Sequence, residues 1–301
     1  MTLNVELPAD PEHVIGLLDR VGYVLDETLA TSVFLMLQLE KPLLLEGPSG
    51  VGKTELAQAL ADALGTELIR LQCYEGLDVN SAVYEWNYQK QLLAIRMEEH
   101  ASGTHSLETR QQQIFGESYL LERPLLKAIR ASVQSPVLLI DEVDRSDEEF
   151  EAFLLEVLSA FQISIPEMGT VRATHRPLVL LTSNRTRELS DALKRRCLYY
   201  WMSYPETSRE RAILHKRLPG ISEALAEQTV HCVQALRDVR LSKAPGVAET
   251  LDWAQALLAL QKTRLDAETF ERTLGCVLKA SEDQDAVRGL GVGSFLLDQA
   301  A

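Results

Sequence analysis

The sequence predicts an α/β fold, a parallel-sheet domain over residues 1–203 followed by a small all-helical domain over residues 204–301. Three observations predict it. First, KPLLLEG from Lys41, ELIRLQC from Glu67, SPVLLIDEVD from Ser135 and LVLLTSN from Leu178 are short, nearly continuous apolar runs. Runs of this kind read as strands buried on both faces, as in a parallel sheet. Second, a glycine-rich loop and the amphipathic segment TELAQALADALG, from Thr54, separate the first two runs. Strand, loop, helix and strand in that order make a crossover between parallel strands. Third, the apolar strand runs stop after Tyr204–Pro205, and a helical pattern continues with breaks at Pro219, Pro245 and Gly246.

The remaining elements follow in chain order. Residues Pro11 to Leu39 read as helical, interrupted at Gly22–Tyr23. Gly65 closes the helix after the glycine loop. LDVNSAVYEWNYQKQLLAIRME, from Leu77, reads as one helix carrying aromatic residues, within an insertion over about residues 74–116. The polar stretch from Glu98 to Gln113 reads as an exposed loop. LLERPLLKAIRAS from Leu120, EEFEAFLLEVLSAF from Glu148 and ELSDALKRRC from Glu188 are predicted helices. Residues 161–177 alternate on either side of Met168–Gly169 and predict a hairpin. The end of the chain from Ser281, with SEDQD and GLGVG, reads as partly mobile.

Composition bounds the function. With 301 residues, 46% apolar and 25% charged, the chain has an ordinary soluble globular make-up. A formal net charge of -14 provides no general attraction to phosphate backbones, which argues against nucleic acid as a partner. Cys73, Cys197, Cys232 and Cys276 lack metal or redox spacing, so reduced thiols in a cytoplasmic protein are expected. The N-terminus has no basic region followed by an apolar stretch, so no secretory signal is expected. The run Thr31 to Leu39 is too short for a transmembrane segment.

The strongest motif is GPSGVGKT: Gly47, Pro48, Ser49, Gly50, Val51, Gly52, Lys53 and Thr54, with Glu55 next in the helix. It fits the phosphate-loop pattern in full. Its glycines let successive backbone N–H groups turn toward phosphate oxygens, and the helix adds its positive end. Lys53 is placed to reach the β- and γ-phosphates, and the Thr54 hydroxyl to ligate Mg²⁺. The implied cofactors are ATP and Mg²⁺. At the end of VLLIDEVD, Asp141 suits the metal and Glu142 suits a general base for water. Asp144 reads as a helix cap or a surface charge. Asn184 ends another apolar strand, where its amide can bond the attacking water or the γ-phosphate. Arg195 and Arg196 can stabilise charge on a transferring phosphoryl group, often in a neighbouring subunit, or can complement a helix dipole.

Taken in order, GPSGVGKT, VLLIDEVD, LVLLTSN, LKRRC and a helical C-terminal region resemble an AAA+ ATPase. FGESYLLERPLLKAI and the hairpin before the LVLLTSN strand resemble the MoxR family. RLQCYEGLD, YEWNYQKQLL, TSNRTREL, LKRRC and ETLDWAQAL resemble its CoxD-like subgroup. That subgroup is associated with maturation of molybdenum-containing carbon monoxide dehydrogenase and related hydroxylases. The resemblance assigns nucleotide and metal roles to Lys53 and Thr54, metal to Asp141, water to Glu142 and the first sensor to Asn184. Arg196 matches the finger arginine best, with Arg195 the alternative. The resemblance further implies a homo-oligomeric ring, commonly a hexamer, a von Willebrand factor A domain partner and a metalloenzyme client. One departure stands out. The family often has a second-sensor arginine at the start of a lid helix, where this chain has Ala248 or Glu249; Arg240 and Lys243 are the candidate substitutes.

Other residues carry two readings each. Tyr84, Trp86 and Tyr88 either grip a client peptide or, the favoured reading, pack beneath the insertion. Tyr23 either lines an adenine pocket or packs in the core. Gln72 either orients Glu142 or simply ends a strand. His100 and His105 lack a metal-ligand pattern and read as solvated. The function expected is that of an ATP-driven chaperone. A DNA-remodelling or clamp-loading ATPase is opposed by the acidic charge. A nucleotide-dependent switch without turnover is opposed by the Asp141–Glu142 pair.

Overall fold

A computed structural model describes residues 7–99 and 115–296. Its strands are β1 (Leu43–Glu46), β2 (Leu68–Gln72), β3 (Tyr84–Trp86), β4 (Leu120–Glu122), β5 (Val137–Asp141), β6 (Gln162–Ile165), β7 (Gly169–Arg172), β8 (Leu178–Ser183) and β9 (Leu198–Trp201). Five of them form one parallel sheet in the order β2-β5-β8-β1-β9. The three central strands β5, β8 and β1 are buried at every position. Because side chains alternate across a strand, these runs feed two cores. Leu43, Leu45, Val137, Leu139, Leu178 and Leu180 face the helices Pro11–Arg20, Glu27–Leu39 and Lys53–Leu64. Leu44, Leu138, Ile140, Val179 and Leu181 face the helices Pro124–Ile129 and Glu148–Ala160. The chain is therefore α/β, and the crossover order expected from the apolar runs is present.

Local chemistry sets the helix starts. Asp10, Asp26 and Asp147 accept from the backbone N–H of His13, Leu29 and Phe150 at 2.7, 2.7 and 2.8 Å. Each thereby satisfies a donor that the first helical turn leaves unpaired.

Edge strand β9 was not singled out from the sequence, although CLYYWM, from Cys197, is an unbroken apolar and aromatic run. Its LYYW sequence buries only one face, Leu198 and Tyr200 packing inward while Tyr199 and Trp201 are exposed. The segment from Leu77 departs from the single helix expected. It divides into a helix at Val79–Val83, strand β3 and a helix at Tyr88–Glu99. Extended Tyr84–Trp86 pairs antiparallel with β4, and Asn87 Oδ1 accepts from Lys90 N at 3.0 Å to start the next helix. Residues from Leu120 likewise form β4 before the helix Pro124–Ile129. The residue before a proline is disfavoured in helical geometry, and Arg123 is extended, with φ -93° and ψ 169°. Strands β6 and β7 form the expected hairpin.

In the aromatic cluster the packing reading holds for Trp86. Trp86 is buried and packs edge-on against Tyr84 and Phe115, with ring centroids 6.0 and 5.3 Å away, whereas Tyr88 is exposed. His100 and His105, with most of the polar stretch, lie outside the described residues.

Beyond Pro205 the helices Thr207–Arg217, Glu223–Arg237, Val247–Ala259, Ala267–Val277 and Ser281–Leu290 enclose a separate core around Trp253, Phe270 and Phe295. The segment from Ser281, expected to be partly mobile, is a helix that buries Val287, and Phe295 stacks on Phe270 at 5.9 Å. Its polar composition hid this, because Asp283 is itself buried and bonds Ser242 N and Oγ at 2.8 and 2.7 Å.

Three of these helices meet at one buried carboxylate. Glu210 accepts two bonds from Arg237 (2.7 and 2.8 Å), one from Gln234 Nε2 (2.8 Å) and one from Thr250 Oγ1 (2.7 Å). Removing one partner of a buried ion pair leaves the other charge uncompensated. Glu210→Ala is therefore expected to destabilise the helical region by about 3–5 kcal/mol. Urea unfolding checks this, and a midpoint equal to the parent's would show that the network is not holding the helices together.

Candidate functional site

The loop between β1 and the helix Lys53–Leu64 is shaped by close approaches. Gly47 has φ +157°, and a Cβ there would lie 2.1 Å from the Met202 carbonyl oxygen, so no side chain fits. Gly50, with φ +78°, faces Gly246 of the helical region; a Cβ on Gly246 would lie 2.9 Å from the Gly50 backbone. Only glycine accommodates both the left-handed backbone and this contact.

Lys53 is buried. Its Nζ donates to the Gly47 and Pro48 carbonyls, each at 2.7 Å, and to Asn184 Oδ1 at 2.9 Å. Burial lowers its pKa to about 8, against the opposing pull of Asp144, Asp141 and Glu142. Thr54 Oγ1 donates to Asp141 Oδ1 at 3.0 Å. Asp141 is buried at the end of β5 and also accepts from Thr182 Oγ1, and it pairs with the Arg70 guanidinium. The Thr54 hydroxyl and Asp141 carboxylate are adjacent hard oxygen donors, which fits Mg²⁺ completed by phosphate oxygens and water.

Glu142 follows in a left-handed conformation, φ +55°. Its carboxylate accepts from Gln72 Nε2 at 3.1 Å and Asn184 Nδ2 at 3.3 Å, and pairs with Arg145 Nε at 3.0 Å. Gln72 thus contacts Glu142 from the neighbouring strand. Asn184 touches Lys53 with its oxygen and Glu142 with its amide nitrogen. Burial and these carboxylates push the Cys73 thiol up to about 12, so it stays protonated beside the site.

These groups open into a pocket of about 600 Å³, within the ~300–1,000 Å³ range of ligand pockets. Its far end is apolar, lined by Tyr23, Val24, Leu29, Met202, Ile213 and Leu251. Tyr23 packs in the core, lines the pocket and donates from its hydroxyl to the Gly52 carbonyl at 3.2 Å.

The helical region reaches the pocket differently from the expectation. Arg240 and Lys243 are exposed and outside its lining, and Lys243 Nζ lies 3.9 Å from Glu249 Oε1. Ala248 N donates to the Gly50 carbonyl at 3.2 Å, and Glu249 caps its own helix through Gly246 N at 2.9 Å. The cations that the helical region brings to the lining are Arg209 and Arg217, paired with Asp26 and with Glu55, the residue after Thr54. Sequence reading missed both. A signal existed in the stripe Arg209, Ile213, Arg217, four residues apart on one helix face. Asp144 is neither a cap nor a surface charge but a buried acceptor for Asn184 N and Thr186 N. Arg195 and Arg196 end the helix Asp191–Arg196, both exposed and outside the pocket lining; Arg196 Nη1 donates to the Leu155 carbonyl at 2.8 Å.

Residues 42–197, just over half of the chain, match the AAA domain family, dynein-related subfamily. The chain belongs to that family. AAA+ proteins bind ATP through a P-loop and typically assemble as rings. Similar chains include an uncharacterised protein of Staphylococcus haemolyticus, 25% identical over 272 residues, covering 87% of this chain and 94% of that one. Another, from Staphylococcus aureus, is 26% identical over 272 residues with the same coverage. Among solved structures, a mutant RuvB of Thermotoga maritima aligns with a TM-score of 0.47 and 18% identity, over 89% of this chain and 72% of that one. Among the described residues, no helix is long and apolar enough to cross a membrane.

Thr182 was not singled out from sequence, yet it braces both carboxylate residues. Its buried hydroxyl donates to Asp141 and accepts from Glu142 N at 2.9 Å. Thr182→Val keeps the shape but leaves that N–H without an acceptor, an expected loss of about 1–3 kcal/mol. Thr182→Ser keeps the hydroxyl and should retain most of the parent's stability. Equal thermal stability of the two variants would refute the brace.

Proposed function

We propose that this chain is a Mg²⁺-dependent ATPase of the MoxR type, acting as a hexameric ring to remodel or mature a client protein. The observation that carries the ATPase reading is the position of Asn184, which bonds Lys53 of the phosphate loop and the Glu142 carboxylate with the two ends of one amide. Four separate segments, ending at Lys53–Thr54, Gln72, Asp141–Glu142 and Asn184, meet there beside a pocket of nucleotide size.

On this reading the triphosphate displaces the loop carbonyls from Lys53 Nζ, and the backbone N–H groups from Ser49 to Glu55 cradle it. Thr54 and Asp141 hold the metal, which when bound neutralises charge on the phosphates. Glu142 Oε accepts a proton from the attacking water as the water oxygen bonds to the γ-phosphorus. The bond to the β–γ bridging oxygen breaks, releasing phosphate and ADP. Asn184 and Gln72 set the direction of the carboxylate. Arg196, with Arg195 the alternative, is supplied by the neighbouring subunit; their exposure and absence from this pocket's lining support an intersubunit role.

We place the domain division at residues 203–204, where a nucleotide-binding part passes to a helical lid. The client and partner rest on the resemblance to CoxD-like chains: a molybdenum-containing metalloenzyme, helped by a von Willebrand factor A domain protein, in the cytoplasm.

Lys53→Ala should abolish tight ATP binding in equilibrium titration; unchanged affinity would remove the phosphate-loop assignment. Glu142→Gln should lower turnover by about 10²-fold or more while nucleotide still binds. Parental turnover would show that Glu142 does not activate the water. Mixing Arg196→Ala with Glu142→Gln subunits should restore part of the activity if the arginine acts across the interface. No recovery in rings shown to be mixed would exclude it. Affinity capture with the Glu142→Gln protein and ATP should retain a molybdenum enzyme; repeated capture of unrelated proteins alone would argue against that client.

A further inference from the structure

Asp144 has no role in the scheme above, yet it is only 2% exposed. It sits in the short turn Val143–Arg145, directly after Glu142. Its Oδ2 accepts from the backbone N–H of Asn184 at 3.2 Å, from that of Thr186 at 2.8 Å and from Thr186 Oγ1 at 2.8 Å. The two N–H groups converge because Arg185 between them has φ +56°. A left-handed residue that is not glycine costs on the order of 1–2 kcal/mol and persists only where its surroundings hold it. The carboxylate supplies that hold, and Arg185 N adds a bond to Ser183 Oγ at 3.1 Å.

The bend decides where Asn184 points. With it, the amide reaches Lys53 Nζ at 2.9 Å and Glu142 Oε1 at 3.3 Å. Without it, residues 184–186 would relax to an extended path beyond β8, and the amide would lose its aim at both.

We propose that Asp144 is a positioning residue for ATP hydrolysis: its carboxylate fixes the 184–186 bend, and through it the Asn184 amide that orients Glu142. This rests on the hydrolytic reading of Glu142 and Asn184. A carboxylate suits the place better than an amide. Among the described residues, Asp144 Oδ1 is buried without a protein partner. An asparagine keeping its oxygen on the bend would bury two amide donors there, at a cost of about 1–3 kcal/mol. Asp144 also contributes negative charge near Lys53, so a competing role in nucleotide binding has to be separated from positioning.

The test is a double-mutant cycle on the full chain, reading kcat for ATP and, separately, affinity for fluorescent mant-ADP. Asn184→Ala should lower kcat. Asp144→Asn should lower kcat by about 10- to 100-fold, the usual cost of a misplaced group. Its mant-ADP affinity should stay within about twofold. The double variant should turn over no more slowly than Asn184→Ala alone, because both changes remove the same aimed amide.

A parental kcat for Asp144→Asn overturns the proposal. So does an affinity loss as large as the kcat loss, which would place Asp144 with Lys53, and so does a double variant slower by the product of the two single effects. If Asn184→Ala itself leaves kcat unchanged, the hydrolytic role of Asn184 fails, a result distinct from failure of Asp144 alone. Should Asp144→Asn not fold, exposed Thr186 provides a milder probe. Thr186→Val should lower kcat by about 2- to 10-fold at constant mant-ADP affinity, and Thr186→Ser should restore it. Parental kcat in Thr186→Val together with a folded ring would overturn the proposal on its own.

Discussion

The site depends on one buried carboxylate, Asp141, at the end of β5. An ionised group removed from water needs strong partners, and no single segment provides enough of them. Thr54 comes from the helix after the phosphate loop, Thr182 from β8 and Arg70 from β2. These partners are within reach because β5 lies between β2 and β8 in a parallel sheet. Parallel register puts Gln72 opposite Asp141 and Leu181 opposite Ile140, so the strand ends line up at one edge. The phosphate loop follows β1 at that same edge, which makes one end of the sheet the place where charge collects.

The charges there balance locally. Asp141, Glu142 and Asp144 stand beside Lys53, with Arg70 on Asp141 and Arg145 on Glu142. Arg70 and Arg145 are half exposed, while Asp141 and Asp144 are buried. The two buried acids are held by hydrogen bonds from Thr54, Thr182, Asn184 and Thr186, whereas the two arginine counter-charges stand at the solvent edge. That arrangement suits a site that must exchange counter-charges when a polyanion and its metal arrive.

The helical region meets this edge through both charge and shape. Arg209 and Arg217 tie the helix Thr207–Arg217 to Asp26 and Glu55, and Gly246 lies directly on Gly50. In the stretch where the resemblance leads one to expect an arginine, Glu249 is occupied with capping its own helix. Basic groups at the pocket instead come from the first helix of the region. Part of the connection between the two parts is thus made next to the phosphate loop itself, at Gly50 and Glu55.

The sequence by itself determined whatever depends on neighbours in the chain. The phosphate loop, the buried strands, the hairpin at residues 161–177 and the candidates Asp141, Glu142 and Asn184 all rest on local spacing or on an apolar run. Tertiary structure decided what depends on a partner far along the chain or on one-sided burial. Strand β9 is an apolar run like β1, β5 and β8, yet it is covered on one face only, and its place at the sheet edge is set by packing. Asp144 meets Thr186 across 42 positions, and Arg209 meets Asp26 across 183. Isolated polar letters carry no mark of such partners, because burial of a charged side chain is a property of the packed chain around it. The helix from Ser281 was concealed for the same reason: its buried Asp283 is satisfied by Ser242, at a distance that no local pattern records.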